Sequence, residues 1–412
     1  VRKILVLSPS DIFPPVDGNS ENIYHIVKYL APENTLGVLL SRVFSQDGPV
    51  DITHPNLTIR YCPSSFFDRL QYKSFLVNPH YYAAADRLMR EIDADIVQCQ
   101  VLFTFPVGYY LKKRYGKPLV LVQENAEYVK QVKFEAPGYV TTVLKWLEGF
   151  ACRAADRIVA VSEVDKGHMV NLYRVPEQKI HVINHCADHE VFKYDAENAA
   201  SVRQSWGVGA EDMVLTYVGK MDAPHNTKAT EYIAERIYPA VLERYPNSWF
   251  VIVGQNYEHL LEYRRDRLFF TGFVSSRHDV SPNLADYLSA SDAVIVPMDR
   301  GSGTRLKILE AAACARPIVS TEIGAEGLEF TDGEEILLTE NVDDRFIELV
   351  LGLISDRSWR ERLGRKARKK LLERYSWEEE VTKFEAVYRG LTPQRGFPVD
   401  GRTSDREASV SD

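Results

Sequence analysis

The residues best suited to chemistry lie between Pro297 and Val319. An apolar run, Ala293 to Val296, stops at a proline, and a turn of small residues follows, Gly301-Ser302-Gly303-Thr304. A helical segment then begins that carries Arg305, Lys307 and Glu310, and a second apolar run follows Pro317. A strand, a glycine-rich turn and a helix start make an anion site, because free backbone N–H groups and the positive helix end face one spot. Arg305 and Lys307 add positive charge there. Glu310 sits deeper along the helix, far enough to miss a phosphate and reach a sugar hydroxyl. Such a segment can hold a nucleoside diphosphate together with its sugar.

The elements that must position these residues are legible in the chain's alternation. Apolar runs at Ile4–Leu7, Leu36–Leu40, Ile96–Cys99, Leu119–Val122, Ile158–Val161 and Ile180–Ile183 read as strands. Helical patterns lie between them, at Glu21–Leu30, Tyr81–Ile92 and Val164–Leu172. After a polar stretch the pattern restarts at Val214–Val218, Phe250–Val253, Leu268–Thr271, Ala293–Val296, Ile318–Ser320 and Glu335–Leu338. Strand–helix alternation of this kind predicts parallel sheets with crossover helices. The expected fold class is α/β, two doubly wound Rossmann-like domains facing a central cleft, with ligands beyond the strand carboxyl ends. The expected organisation is a first domain over residues 1–187, a linker over 188–212 and a second domain over 213–374. A helix over 375–391 and a disordered tail over 392–412 complete it.

Composition narrows the function classes. The 412 residues suffice for two domains, and a hydrophobic content of 45% supports sizeable cores. A net charge of −8 argues against nucleic acid or a broad anionic surface as partner. No apolar run is long enough to span a bilayer. The chain opens directly into a strand without a signal-peptide pattern, and five scattered cysteines suggest reduced thiols, so a cytoplasmic location is expected. His185 and Cys186 lack partners at ligand spacing and read as structural, with no metal site. The basic run Arg365–Lys370 reads as a solvated helix face, and Val140–Phe150 as core in preference to an acceptor-side surface.

The segment around Glu310 resembles the donor site of retaining GT-B glycosyltransferases of the GT4 type. There a helix headed by a glycine turn reads Glu-Ala-Met-Ala-x-Gly-x-Pro-Val-Val, and its glutamate binds the nucleotide ribose. Glu310-Ala311-Ala312-Ala313 followed by Arg316-Pro317-Ile318-Val319 carries the match, so Glu310 takes the ribose by that resemblance. The second glutamate that the family often has eight positions earlier is Ser302 here. Family enzymes place a basic residue after the glycine that ends the first strand of the second domain. Gly219-Lys220 fits, which gives Lys220 a diphosphate contact. The lysine usual six positions further on is Asn226 here, a good N-cap for the helix read over Ala229–Arg244. Lys307 is expected to replace the lost charge from the other loop.

The same resemblance fills in the rest of the cleft. Gly303 and Thr304 would offer backbone N–H groups to the donor, beside Ser302 and Arg305. In the first domain, Pro14-Pro15-Val16-Asp17-Gly18-Asn19-Ser20 stands where the family carries a Gly-Gly pair near its substrate; Gly18 is kept and Asn19 tolerates a left-handed backbone. Gln123-Glu124-Asn125-Ala126-Glu127 follows a strand where relatives often begin with histidine. Glu124 is assigned to acceptor binding and Glu127 to catalysis, against loop-ordering hydrogen bonds as the plainer reading. The implied activity is transfer of a sugar, with retention, from a nucleotide-diphosphate sugar to an acceptor hydroxyl, with no metal cofactor required. The acceptor would be a saccharide, a lipid-linked sugar or a small molecule, the last step being compatible with peripheral contact at the inner membrane face. The alternatives are a non-catalytic nucleotide-sugar-binding partner subunit and a sugar-nucleotide epimerase.

Overall fold

The structure, a computed structural model, describes residues 1–13, 15, 18–41, 52–66, 77–277 and 279–392. Pro14, Val16 and Asp17 of the first turn, and residues 393–412 of the expected tail, lie outside the described residues.

Seven parallel strands build the first sheet: β1 (Lys3–Leu7), β2 (Thr35–Leu40), β3 (Leu57–Tyr61), β4 (Ile96–Gln100), β5 (Leu119–Gln123), β6 (Arg157–Ala160) and β7 (Ile180–Val182). Their order is β3-β2-β1-β4-β5-β6-β7. Helices α1 (Gly18–Leu30), α2 (Pro79–Glu91), α3 (Val101–Tyr115), α4 (Glu127–Lys133), α5 (Gly138–Ala154) and α6 (Glu163–Tyr173) lie between them. The chain then forms α7 (Ala196–Trp206) and enters a second parallel sheet of β8 (Met213–Val218), β9 (Ser248–Val253), β10 (Leu268–Gly272), β11 (Ala293–Val296), β12 (Ile318–Thr321) and β13 (Leu337–Thr339), ordered β10-β9-β8-β11-β12-β13. Its helices are α8 (Pro224–Tyr232), α9 (Tyr238–Arg244), α10 (Leu284–Ala290), α11 (Leu306–Ala313), α12 (Asp344–Ser355), α13 (Arg357–Arg374) and α14 (Trp377–Arg389).

Central strands such as β4, β5 and β11 are buried along their whole length. Helices cover both faces of a parallel sheet, so such strands read as unbroken apolar runs. The two sheets make two Rossmann-like units with a cleft between them. Strand order reverses between β1 and β4 and again between β8 and β11. Loops leaving the neighbouring strands at such a point diverge and leave a crevice.

Four readings differ from the structure. The edge strand β3 was not expected, because Leu57–Tyr61 alternates and is only half-buried. The stretch 188–212 contains α7, capped by Asp195, whose side chain accepts from Asn198 N at 2.9 Å. Only Ala199 and Val202 of that helix are buried, too little apolar periodicity to stand out. The helix read over Ala229–Arg244 begins at Pro224 and widens to a π-turn at Ile233–Ile237, just before Pro239. Asn226 is therefore not the N-cap; Ala223 occupies that place, and the Asn226 side chain is free for other partners. Finally, the Val140–Phe150 segment is not core along its length. Tyr139, Val143 and Trp146 are 75%, 60% and 67% exposed, while α5 buries Glu148, Gly149, Ala151 and Cys152. Arg365, Lys366 and Lys369 of the basic run pair with Glu361, Glu334 and Glu373 on a solvated face.

Helix α14 returns from the second sheet to lie against α1 of the first. Trp377 stacks on His25 with ring centroids 5.2 Å apart, and Arg2 Nη1 meets Glu385 at 2.8 Å. The Tyr388 hydroxyl donates to Gln98 of β4. Buried Glu380 accepts from Asn184 N at 2.9 Å and Asn184 Nδ2 at 3.2 Å, just after β7. Removing an acceptor that serves buried donors costs about 1–3 kcal/mol, and the half-buried Asn184 groups place this case at the low end. Glu380→Ala should lower unfolding stability by about that much in urea melts. An unchanged midpoint and slope would show that the Asn184 groups find other partners.

Candidate active site

The second sheet builds one wall of the cleft. Arg305 is the N-cap of α11 and not part of its helical turns. Its Nη1 donates to Ser302 O and Gly303 O, both at 2.6 Å, which curls the small-residue turn around the guanidinium. Gly303 has φ +77°, and a Cβ added there would come within 2.8 Å of Glu124 O on the opposite wall. A glycine is thus required both by the backbone and by the closeness of the two halves. Buried Ile308, Leu309 and Ala311–Ala313 anchor α11 to the sheet, each large side chain adding about 1.5–3 kcal/mol.

In the first turn of α11, Lys307 reaches back under the loop after β8. Its Nζ donates to the Tyr217 hydroxyl and to Asn226 Oδ1, both at 3.0 Å, and lies 4.2 Å from the centre of the Tyr217 ring. Tyr217 itself donates to Asn226 Oδ1 at 2.6 Å, and Asn226 Nδ2 donates to Lys220 O at 2.8 Å. An ammonium has three protons, so one remains for the cavity. Burial, with Arg305 adding to it, pushes the Lys307 ammonium down to about 7. Glu310 lies beyond it. Burial, with Glu21 adding and Lys307 opposing, pushes its carboxyl up to about 8. Lys220 is more exposed, its Nζ 3.8 Å from Asp222. Gly254, with φ +148°, lets the end of β9 pass so close that an added Cβ would sit 1.7 Å from Gly219 O.

The first sheet supplies the facing wall. Gly18 opens α1 against Leu306, where an added Cβ would meet Leu306 Cδ1 at 3.4 Å. Glu124 Oε1 accepts from Asn22 Nδ2 at 3.2 Å, and the Asn19 amide, oriented by its hydrogen bonds, donates to the same oxygen at 2.7 Å. Glu124, Asn19 and Gly18 line a cavity of ≈ 500 Å³ together with Gly219, Lys220, Ser302, Gly303, Thr304, Arg305, Lys307 and Glu310. Glu127 does not join them. It is the first residue of α4, and its carboxylate accepts from Gln131 Nε2 at 2.8 Å and Lys130 Nζ at 3.3 Å along that helix.

Sequence reasoning missed three groups. Glu148 of α5, fully buried, accepts from Gln123 Nε2, Glu127 N, Tyr128 N and the Tyr173 hydroxyl at 2.5–3.0 Å. Its signal was a lone carboxylate inside an apolar helix. Asp165 accepts from Ala126 N at 3.1 Å, so two buried carboxylates fix the loop that presents Glu124. His185 lines the cavity, where it had been read as structural. Across the cleft the halves meet at Thr304 Oγ1 and His185 Nδ1, 2.6 Å apart, and at Lys133 and Glu326, 2.6 Å apart. Ser276 also donates to Glu21. Among the described residues no three Cys, His, Asp or Glu side chains converge as metal ligands, and no helix is long and apolar enough to cross a membrane.

Comparison with known proteins bears on the same two walls. The family described as Glycosyltransferase Family 4 matches residues 24–191, and Glycosyl transferases group 1 matches residues 212–356. A D-inositol 3-phosphate glycosyltransferase of Kribbella flavida is 28% identical over 314 residues, 72% of each chain. Sucrose-phosphate synthase of Thermosynechococcus elongatus superposes with a TM-score of 0.79 at 17% identity, covering 95% of this chain and 99% of that one. Anabaena HepE, solved with UDP-glucose, superposes with a TM-score of 0.71 at 15% identity, covering 95% of this chain and all of that one. The chain is a GT-B fold glycosyltransferase related to the group 1 and GT4 families, whose models match its two halves in turn. It is an enzyme that draws its sugar from a nucleotide-diphosphate donor.

The Lys307 environment generates a pH test. A bound diphosphate favours the charged ammonium, so binding raises the Lys307 pKa above its free value of about 7. Affinity is then fullest below pH 7 and falls as pH rises past it, by at most about tenfold per unit. UDP titrations between pH 7 and 8.5 should show this fall in the native enzyme and a flatter, weaker profile in Lys307→Met. Identical slopes would remove Lys307 from the anion site.

Proposed function

We propose that this cleft transfers a sugar with retention of anomeric configuration, with the donor laid along the second wall and the acceptor hydroxyl presented by the first. The observation that carries the reading is a convergence of unpaired polarity. Arg305 Nε and Nη2, His225 Nδ1, His185 Nε2 and Asn125 Oδ1 are all buried without a hydrogen-bond partner among the described residues, and all belong to residues lining the one cavity. Buried polar groups in folded proteins are rarely left unpaired, so the cavity is built for a polar ligand that pairs them. Glu310 accepts from the nucleotide ribose. Lys307, Lys220 and Arg305, with the N–H groups of Gly303 and Thr304, stabilise the diphosphate as the glycosidic bond breaks. Ser302 borders the donor without supplying a carboxylate. On the acceptor side Glu124 takes the place that Glu127 was expected to share, because only Glu124 borders the cavity. The UDP-glucose bound to HepE makes a uridine diphosphate sugar the first donor to try.

Glu310→Gln should weaken nucleotide binding by about 1–3 kcal/mol with little change in folding, the ribose contact being lost. Calorimetry with UDP checks it, and an unchanged affinity removes Glu310 from the ribose. Glu124→Gln should impair transfer while leaving nucleotide affinity intact. Donor turnover that rises only when acceptor is added separates a transferase from a donor-consuming epimerase and from an inactive partner subunit.

The exposed stripe on α5 favours a lipid-linked acceptor and peripheral contact at the inner membrane face. Tyr139, Val143 and Trp146 recur at helical spacing on one face, beside exposed Lys145 and next to α4, whose Lys130 borders the cavity. Aromatic and cationic groups together suit a bilayer interface. Vesicles of anionic phospholipid should sediment the native enzyme, and Tyr139→Ala combined with Trp146→Ala should release it. Equal sedimentation of both forms would remove the α5 stripe as a membrane contact.

A further inference from the structure

His185 is a polar group at the cavity to which the donor and acceptor contacts give no partner. It follows β7 at the seam between the two sheets, and the residue is only 5% exposed. Nδ1 lies 2.6 Å from Thr304 Oγ1. Nε2 is buried, has no hydrogen-bond partner among the described residues, and belongs to a residue that borders the cavity. Burial pushes the imidazole down to about 4, so the ring is neutral in ordinary buffers. In a neutral ring one nitrogen donates and the other accepts. The Thr304 hydroxyl can donate to Nδ1 or accept from it, so Nε2 faces the cavity as a donor in one tautomer and as an acceptor in the other.

The position of that nitrogen says what it meets. Thr304 is the residue before Arg305, so the Thr304–His185 pair stands at the edge of the anion wall. Across the gap, Glu124 O lies against Gly303. A donor whose diphosphate rests on Lys307 and Arg305 must place its sugar between that wall and Glu124, which is where His185 borders the cavity. We infer that His185 Nε2 forms a hydrogen bond with a hydroxyl of the transferred sugar, which can donate or accept, and that the Thr304 contact holds the ring in place for it. His185 is then a residue of sugar recognition, separate from the groups that hold the nucleotide. The inference rests on the donor orientation proposed above.

The test compares a nucleotide with its sugar conjugate. UDP, UDP-glucose, GDP and GDP-mannose are titrated calorimetrically into the native enzyme, His185→Leu, His185→Asn and Thr304→Val. For the pair that the native enzyme binds, His185→Leu should lose about tenfold in affinity for the sugar conjugate and nothing for the free diphosphate. His185→Asn, whose amide can accept from Thr304 and donate into the cavity, should recover most of that loss. Thr304→Val should show a smaller loss of the same selective kind. An equal loss for conjugate and free diphosphate, or no loss for either, overturns the inference while leaving the donor site in place. A native enzyme that binds none of the four overturns the donor reading and this inference with it. Thr304→Val keeps the test decisive if His185→Leu fails to fold, since it conserves the side-chain shape and removes only the hydroxyl.

Discussion

A lysine ammonium held out of water is the constraint around which the second wall is arranged. Lys307 would not remain charged in an apolar pocket, since burial disfavours the ionised form. The Tyr217 hydroxyl, the Tyr217 ring and Asn226 Oδ1 compensate it in part. Each partner then acquires a second duty. Asn226 must sit in the first turn of α8, and from there its amide nitrogen fixes the Lys220 carbonyl. Tyr217 must end β8 beside the glycine turn. The loop after β8 and the start of α11 are therefore one polar network, and a change in either one is felt in the other.

The facing wall is ordered from below. Two buried carboxylates, Glu148 and Asp165, collect the backbone N–H groups at the start of α4 and leave Glu124 at the rim. Burial pushes both acids above the usual carboxylate range, although hydrogen bonds oppose the shift. The loop geometry thus depends on groups that never touch the cavity. Such positioning matters because a misplacement of about 1 Å at a reacting centre can cost a hundredfold in rate.

Much of this was legible in the chain. Fully buried parallel strands are continuous apolar runs, so both sheets could be traced to within a residue or two, apart from the half-exposed β3. The glycine turn before Arg305 and the buried face of α11 marked the donor wall. What could not be read was direction. Glu124 and Glu127 are equivalent as letters, and only the start of α4 between them turns one to the cavity and the other along the helix. Asn226 has a good cap's chemistry, but Pro224 starts the helix earlier. His185 lacked any neighbour in sequence that would reveal Thr304, 119 positions away. Tyr139, Val143 and Trp146 looked like core because a helix pattern shows which residues share a face and not what covers it.

The return of α14 has a mechanical consequence. The chain passes between the sheets twice, once after β7 and again between α13 and α14, and the Asn184–Glu380 bonds tie these passages side by side. Two adjacent strands of covalent backbone act as a door hinge and define an axis. Opening about that line would part Lys133 from Glu326, while His185, next to Asn184, would stay beside the axis. Sliding or twisting one sheet over the other would shear α14 from α1 and unstack Trp377 from His25. Any opening about that line would thereby return to the same closed register, and an incoming donor would meet the opposite wall in the same alignment.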